Sequence, residues 1–235
     1  MILQNVTEEY LEHERNEVSN IVAKVSTLCV VKDSDSLADF DPKRRKQYVE
    51  ICGLPSLGSV SIAKEEGALL WTDDLFVAVL GELDFGVKRV WTQLVFKTLE
   101  HRGRLDSNVC SEMTAKLSAW NYISTIWHVR DLIAAGNLCD WDANAWPLKQ
   151  CIQLIGKCPF PLPKKARLAM EFFRLLRRSD CISLKQSPVI QSVLDAVGNS
   201  RAVEWMLQRL DSFFKIDFPS AEFLKVELLY WLRLR

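Results

Sequence analysis

Asp73 and Asp74 are the side chains most able to do chemistry in this chain. They are adjacent carboxylates that follow a short apolar run, Ala68 to Trp71, directly. Such a run between a glycine and a polar cluster reads as a buried strand. Acids at the carboxyl end of a strand stand where open α/β sheets place their ligand sites. Carboxylate oxygens are the donors that hard divalent cations take. The structural alternative is that Asp74 caps the helix behind it.

The neighbouring elements must position this pair. Gly67 stops one helix, Ser56 to Glu66, and Thr72, Asp73 and Asp74 close the strand. The helix that follows carries Leu75, Val79 and Leu83 as its expected apolar face, widened by Phe76 and Leu80. Gly86 ends it, Val87 to Trp91 forms a second short strand, and Thr92 is expected to cap a helix from Gln93 to His101. Strand, helix, strand and helix with short joints make a parallel α/β crossover.

The same stretch resembles the PIN-domain family, metal-dependent nucleases that include many VapC-type toxins. Ser61-Ile62-Ala63-Lys64-Glu65-Glu66-Gly67 matches the family's Ala-Lys-Glu-x-Gly helix end. Leu69-Leu70-Trp71-Thr72-Asp73-Asp74 matches its strand with a Thr-x-Asp ending, and Gly86-Val87 and Thr92 match the next strand and helix entry. The resemblance covers about ninety residues by family pattern. It implies an α/β fold, a small parallel PIN-like sheet flanked by helices, and carboxylates around Mg2+ or Mn2+ that activate a water against an RNA phosphate.

Carried over residue by residue, the resemblance makes Asp74 the fourth family acid, with Asp73 as an auxiliary. Val6-Thr7-Glu8-Glu9 matches a Val-x-x-Glu setting, so Glu9 resembles the second acid. The implied catalytic set is Asp74, Asp73 and Glu9, with Asp74 and Glu9 as metal ligands. Against it stands the plain reading of Glu9 as a first-turn glutamate that favours the helix dipole. The third acid falls at Ser56, a poor hard-ion ligand, and the first, at the end of a central strand, has no counterpart. The expectation is an amino-terminally truncated, degenerate member in which Met1–Val6, Leu28–Val31 or a protein partner completes the sheet.

The rest of the chain bounds these readings. It has 235 residues, 49% hydrophobic, with 30 basic and 30 acidic side chains. A zero balance argues against a non-specific nucleic-acid coat while leaving room for a local basic groove. No apolar run reaches membrane-span length and no signal pattern follows Met1, so a cytoplasmic protein without membrane contact is expected. The seven cysteines form no CxxC pair and read as reduced, small hydrophobes. Asp33, Asp35, Asp39 and Asp41 lack calcium-loop spacing and read as a solvated loop. Lys43, Arg44, Arg45 and Lys46 read as a solvated helix face or a phosphate contact.

Helical patterns fill most of what remains. Thr7 to Lys24 carries the stripe Val18, Ile21, Val22 and Val25. Leu105 to Tyr122 is expected to turn Val109, Met113, Leu117 and Trp120 inward, and Ser124 to Ala135 is expected to stop at Gly136. His128 has no nucleophile partner in the pattern and reads as structural. Asn144 to Ile155 is expected to stop at Gly156, and the proline-rich run Cys158 to Pro163 reads as a connector. The expected organisation is a PIN-like α/β domain over 1–157 and an all-helical module over 158–235. Three functions remain open: a metal-dependent endoribonuclease, a catalytically dead interaction module using the helical half, and regulation through an open sheet edge.

Overall fold

A computed structural model of the chain describes residues 7–30, 32, 34, 37, 40–122, 125–214 and 217–234. The strand candidate Met1–Val6, the aspartates 33, 35 and 39, and Ser124 lie outside the described residues. The elements run α1 (Glu8–Leu28), α2 (Pro42–Cys52), α3 (Leu54–Glu65), β1 (Leu70–Trp71), α4 (Leu75–Phe85), β2 (Arg89–Val90), α5 (Thr92–His101), α6 (Ser107–Ala119) and α7 (Val129–Leu138). They continue α8 (Leu148–Lys157), α9 (Leu162–Arg177), α10 (Ser183–Val197), α11 (Ser200–Leu207), α12 (Leu210–Phe213) and α13 (Phe218–Arg233). The protein is therefore mostly helical, with a small two-stranded sheet. Leu70 N–H donates to the Lys88 carbonyl at 2.9 Å and Thr72 N–H to the Val90 carbonyl at 3.0 Å, the slanted pattern of a parallel pair.

The chain divides into two compact units, residues 1–70 with 76–89, and residues 71–75 with 90–235. The expected boundary at 157/158 falls inside the second unit. The physical reason is that α8 packs on α6, α7 and α10, so the proline-rich run joins helices of one core and does not separate two.

The first unit is built on α2, α3 and α4. Asp41 accepts from Arg44 N–H at 2.9 Å and caps α2, with Pro42 in the first turn where a missing N–H costs nothing. At the end of α3, Gly67 takes φ +59°, and Gly67 N–H and Ala68 N–H return to the carbonyls of Lys64 and Ala63. This pair of bonds is a Schellman cap, and it delivers the chain into β1. Leu57, Val60 and Ala63 from α3, Leu70 from β1, and Val77, Leu80 and Phe85 from α4 form the core. Phe40 and Tyr48 close it against the Phe85 ring, and Tyr48 donates its hydroxyl to Asp84 at 3.0 Å.

Two expectations for this unit are corrected. The buried face of α4 is Val77, Ala78, Leu80, Gly81 and Phe85, whereas Leu75, Phe76, Val79 and Leu83 are exposed. α4 is apolar around most of its circumference, so periodicity does not select a face. Gly81 decides it, since a Cβ there would stand 3.2 Å from the Leu70 side chain, and only this face lets the helix approach so closely. Leu28–Val31 supplies no strand through its described residues: Leu28 is the last residue of α1, and Cys29 N–H still donates to the Val25 carbonyl. Ser26 and Thr27 bond their hydroxyls back to the Val22 and Lys24 carbonyls within the helix. Leu69 and Trp71, on either side of the buried Leu70, are each 61% exposed.

The second unit has a large core in which Phe172, Phe173, Met170, Leu176, Ile190, Leu194, Met206 and Leu224 are fully buried. Leu228 and Trp231 of α13 join it, while Leu175 and Trp205 are partly buried against it. Cys110, Cys151 and Cys181 pack as buried small hydrophobes, and burial pushes the Cys151 thiol up to about 12. α6 corrects part of its expected inward set: Leu117 is buried and Met113 half-buried as expected, but Val109 and Trp120 are exposed and Cys110, Ser111, Thr114, Ala115 and Ser118 are buried in their place. Small side chains let α6 lie close to α7 and α8.

Gly136 and Gly156 do not stop their helices. Each lies inside one, at a close contact: a Cβ at Gly136 would meet the Trp141 ring at 2.4 Å, and one at Gly156 would meet the Ala196 carbonyl oxygen at 2.6 Å. α10 runs through Pro188. Gln93 is a buried polar residue whose amide pairs with both backbone groups of Ile126, accepting from its N–H at 2.8 Å and donating to its carbonyl.

One ionic cluster ties α5, α6 and α7. Glu100 accepts from the Ser107 hydroxyl at 2.8 Å and pairs with Lys97 and Arg130 at 3.1 Å. The Ser107 hydrogen bond, then Lys97, holds the Glu100 carboxyl down from 4.5 to about 2. A depressed carboxyl contributes stability above its unfolded value and loses it as the proton binds. The contribution is therefore present above pH 4.5 and lost as pH falls toward 2, and Glu100→Gln should flatten that acid limb when unfolding is followed against pH. Gly156→Ala should destabilise the second unit by about 1–3 kcal/mol in chemical denaturation despite its better helix propensity, because a backbone oxygen cannot give way.

Candidate functional site

The carboxyl end of β1 places Thr72, Asp73 and Asp74 together, and the chain turns there into α4. Asp74 N–H donates to Thr72 Oγ1 at 3.1 Å, which shapes the turn, and the Asp74 residue is exposed. Asp73 is half-buried and reaches across to the start of α5. Its Oδ1 accepts from Thr92 N–H at 2.9 Å and its Oδ2 accepts from the Thr92 hydroxyl. Trp71 Nε1–H donates to the same hydroxyl oxygen at 3.0 Å.

This geometry reverses an expected role. Thr92 does not cap α5; it is the first residue of that helix, preceded by Trp91, whose side chain makes no capping bond. The cap comes from Asp73, nineteen positions earlier. A helix start leaves its first N–H groups without intrahelical partners, and a carboxylate there meets both the free donor and the positive end of the dipole. Local sequence could not reveal this, because capping patterns are read from residues adjacent to the helix. The signal that was present is the pairing of a strand-ending Asp with a strand-following Thr in neighbouring parallel strands.

The other expected site residues belong to the first unit. Glu9 is exposed in the first turn of α1 and Ser56 is half-buried in the first turn of α3, both in the first unit. Asp73 and Asp74 belong to the second unit. Among the described residues, no three His, Cys, Asp or Glu side chains gather into a group that could hold a metal ion. His128 stands at the amino end of α7, where its N–H donates to the buried Asp131 carboxylate at 2.7 Å. That is a structural role.

A hard divalent ion takes about six oxygen donors, most commonly with several carboxylates among them. Here both Asp73 oxygens already accept from Thr92, so its carboxylate is engaged in the fold. As a cap, Asp73 should be worth about 1 kcal/mol to the fold. Asp73→Ala should lower the denaturation midpoint accordingly, and Asp73→Asn, which keeps an acceptor for Thr92 N–H, should lower it less.

Comparison with known proteins bears on the amino-terminal part of the chain. No curated protein and no solved structure matches it. Residues 1–82 match a family model described as the PIN domain associated with the TPR-GreAB-C-PIN system. The match covers 82 of 235 residues and takes in α1 to α3, β1, the Thr72-Asp73-Asp74 turn and most of α4. The amino-terminal third of this chain is similar to a PIN domain.

Proposed function

We propose that this chain is a nuclease-like PIN module that cleaves RNA weakly or not at all as it stands. The observation that carries this reading is the commitment of Asp73: its carboxylate caps α5, which leaves Asp74 as the exposed acid at the strand end. Family chemistry needs Mg2+ or Mn2+ held by several carboxylates, and two family positions here carry acids, Asp74 and Glu9. Any residual cleavage would rest on those two, with Ser56 as the weak point of the set.

A second reading has its own support. Val18, Ile21, Val22 and Val25 of α1 form a continuous stripe, each about half exposed. The family description names an association with a TPR system, a context of protein contacts. In this reading the chain is a non-catalytic interaction or regulatory module. No helix among the described residues is long and apolar enough to cross a membrane.

The full chain incubated with single-stranded RNA and Mg2+ or Mn2+ separates the two readings. Slow cleavage that a chelator and Asp74→Asn both abolish, and that Ser56→Asp raises, supports the weak nuclease. No cleavage from either the parent or Ser56→Asp supports the interaction module. Rapid multiple turnover that survives Asp73→Ala and is lost in Asp74→Asn would overturn the proposal, since a full catalytic set would then exist without the first and third family acids.

A further inference from the structure

The second unit contains a cleft that neither reading uses. It lies between α9 and the α11–α12 pair, has a volume of about 420 Å3, and is lined by three arginines, Arg167, Arg174 and Arg209, against one carboxylate, Glu171. We propose that this cleft binds a phosphate ester carrying a planar ring, that is, a nucleotide, free or within a chain.

The charge is the first argument. Arg167, Glu171 and Arg174 stand at i, i+4 and i+7 on α9, so they share one face. None of the three arginines has an ion-pair partner among the described residues, and Glu171 has none either. The chain as a whole is neutral, yet α9 carries Lys164, Lys165, Arg167, Arg174 and Arg177 against Glu171 alone. Of these, Arg167 and Arg174 line the cleft together with Arg209, and they make it locally basic.

The second argument is the guanidinium fork. Arg174 Nε is buried and has no acceptor among the described residues. A guanidinium stays charged and offers five N–H donors in a planar fork. The Arg174 side chain lines the cleft, and an anion seated there would meet the charge of its guanidinium. Phosphate oxygens suit this fork better than a single carboxylate does, because three arginines can reach different oxygens of one tetrahedral group.

The third argument is shape and aromatic lining. The cleft is larger than a phosphate needs and falls in the range of small-molecule sites. Trp205 and Phe213 give it flat, half-buried apolar walls, and the Arg209 guanidinium lies 4.4 Å over the Trp205 ring, which holds both in place. Aromatic side chains beside arginines are the means by which proteins hold a phosphate and its base together.

Calorimetric titration of the full chain tests this with inorganic phosphate, adenosine, adenosine 5′-monophosphate, a short oligoribonucleotide and an aspartate-rich peptide. The monophosphate should bind at least about tenfold more tightly than either adenosine or inorganic phosphate, and binding should weaken with added salt. An oligoribonucleotide that binds more tightly still assigns the phosphate to a chain, and one that does not assigns it to a free nucleotide. Arg174→Met should weaken binding about tenfold or more, and Arg167→Met, at an exposed position, gives the same reading if the first variant fails to fold. Failure of every phosphate-bearing probe, unchanged affinity in the arginine variants, or binding of the acidic peptide in place of the nucleotide would overturn the proposal. Asp74→Asn should leave this binding unchanged, which keeps the result separate from any cleavage.

Discussion

The Asp73 carboxylate at the start of α5 is the interaction on which the candidate site turns. A helix start presents donors that must be met, and here the cap comes from a neighbouring strand instead of the preceding loop. Thr92 answers with both its N–H and its hydroxyl, and Trp71 donates to that same hydroxyl, so three residues fix the end of β1 against the entry to α5. A carboxylate with both oxygens engaged in this way is a structural group. The chemistry open to the strand end is reduced accordingly, and Asp74 stands beside it as the exposed acid.

Elsewhere the fold is set by how closely helices can approach. Gly81, Gly136 and Gly156 each stand where a side chain would collide with a neighbour, and α6 turns its smallest residues inward for the same reason. Close approach raises contact density without large side chains. Ionic and polar ties then fix directions: Glu100 joins three helices, and Gln93 holds the backbone of Ile126. Buried polar groups with complete partners specify an arrangement more sharply than apolar packing alone.

The two functional proposals draw on opposite kinds of scarcity. At the strand end the protein is short of free carboxylates, which weakens a nuclease centre that needs several. In the α9 cleft it has three arginines against one carboxylate, with no ion pair among the described residues. An unsatisfied site points to a ligand more directly than a satisfied one.

Much of the architecture was legible in the sequence because it depends on neighbours in the chain. Gly67 and Gly86 end helices through positive φ, and the short apolar runs on either side of α4 pair as a parallel ladder, as their local patterns indicate. The PIN resemblance rested on the same local signals, and the family match falls on that end of the chain. What tertiary structure decided has a common physical cause. Periodicity shows which residues share a helix face, but not which face meets a partner when the helix is apolar on most sides, as α4 is. Composition shows a glycine, but not whether it ends a helix, as Gly67 does, or admits a neighbour, as Gly156 does. The acceptor set of Asp73 and the unmet donor of Arg174 depend on groups distant in sequence, and only the folded chain brings those groups within a hydrogen bond's length or leaves them without one.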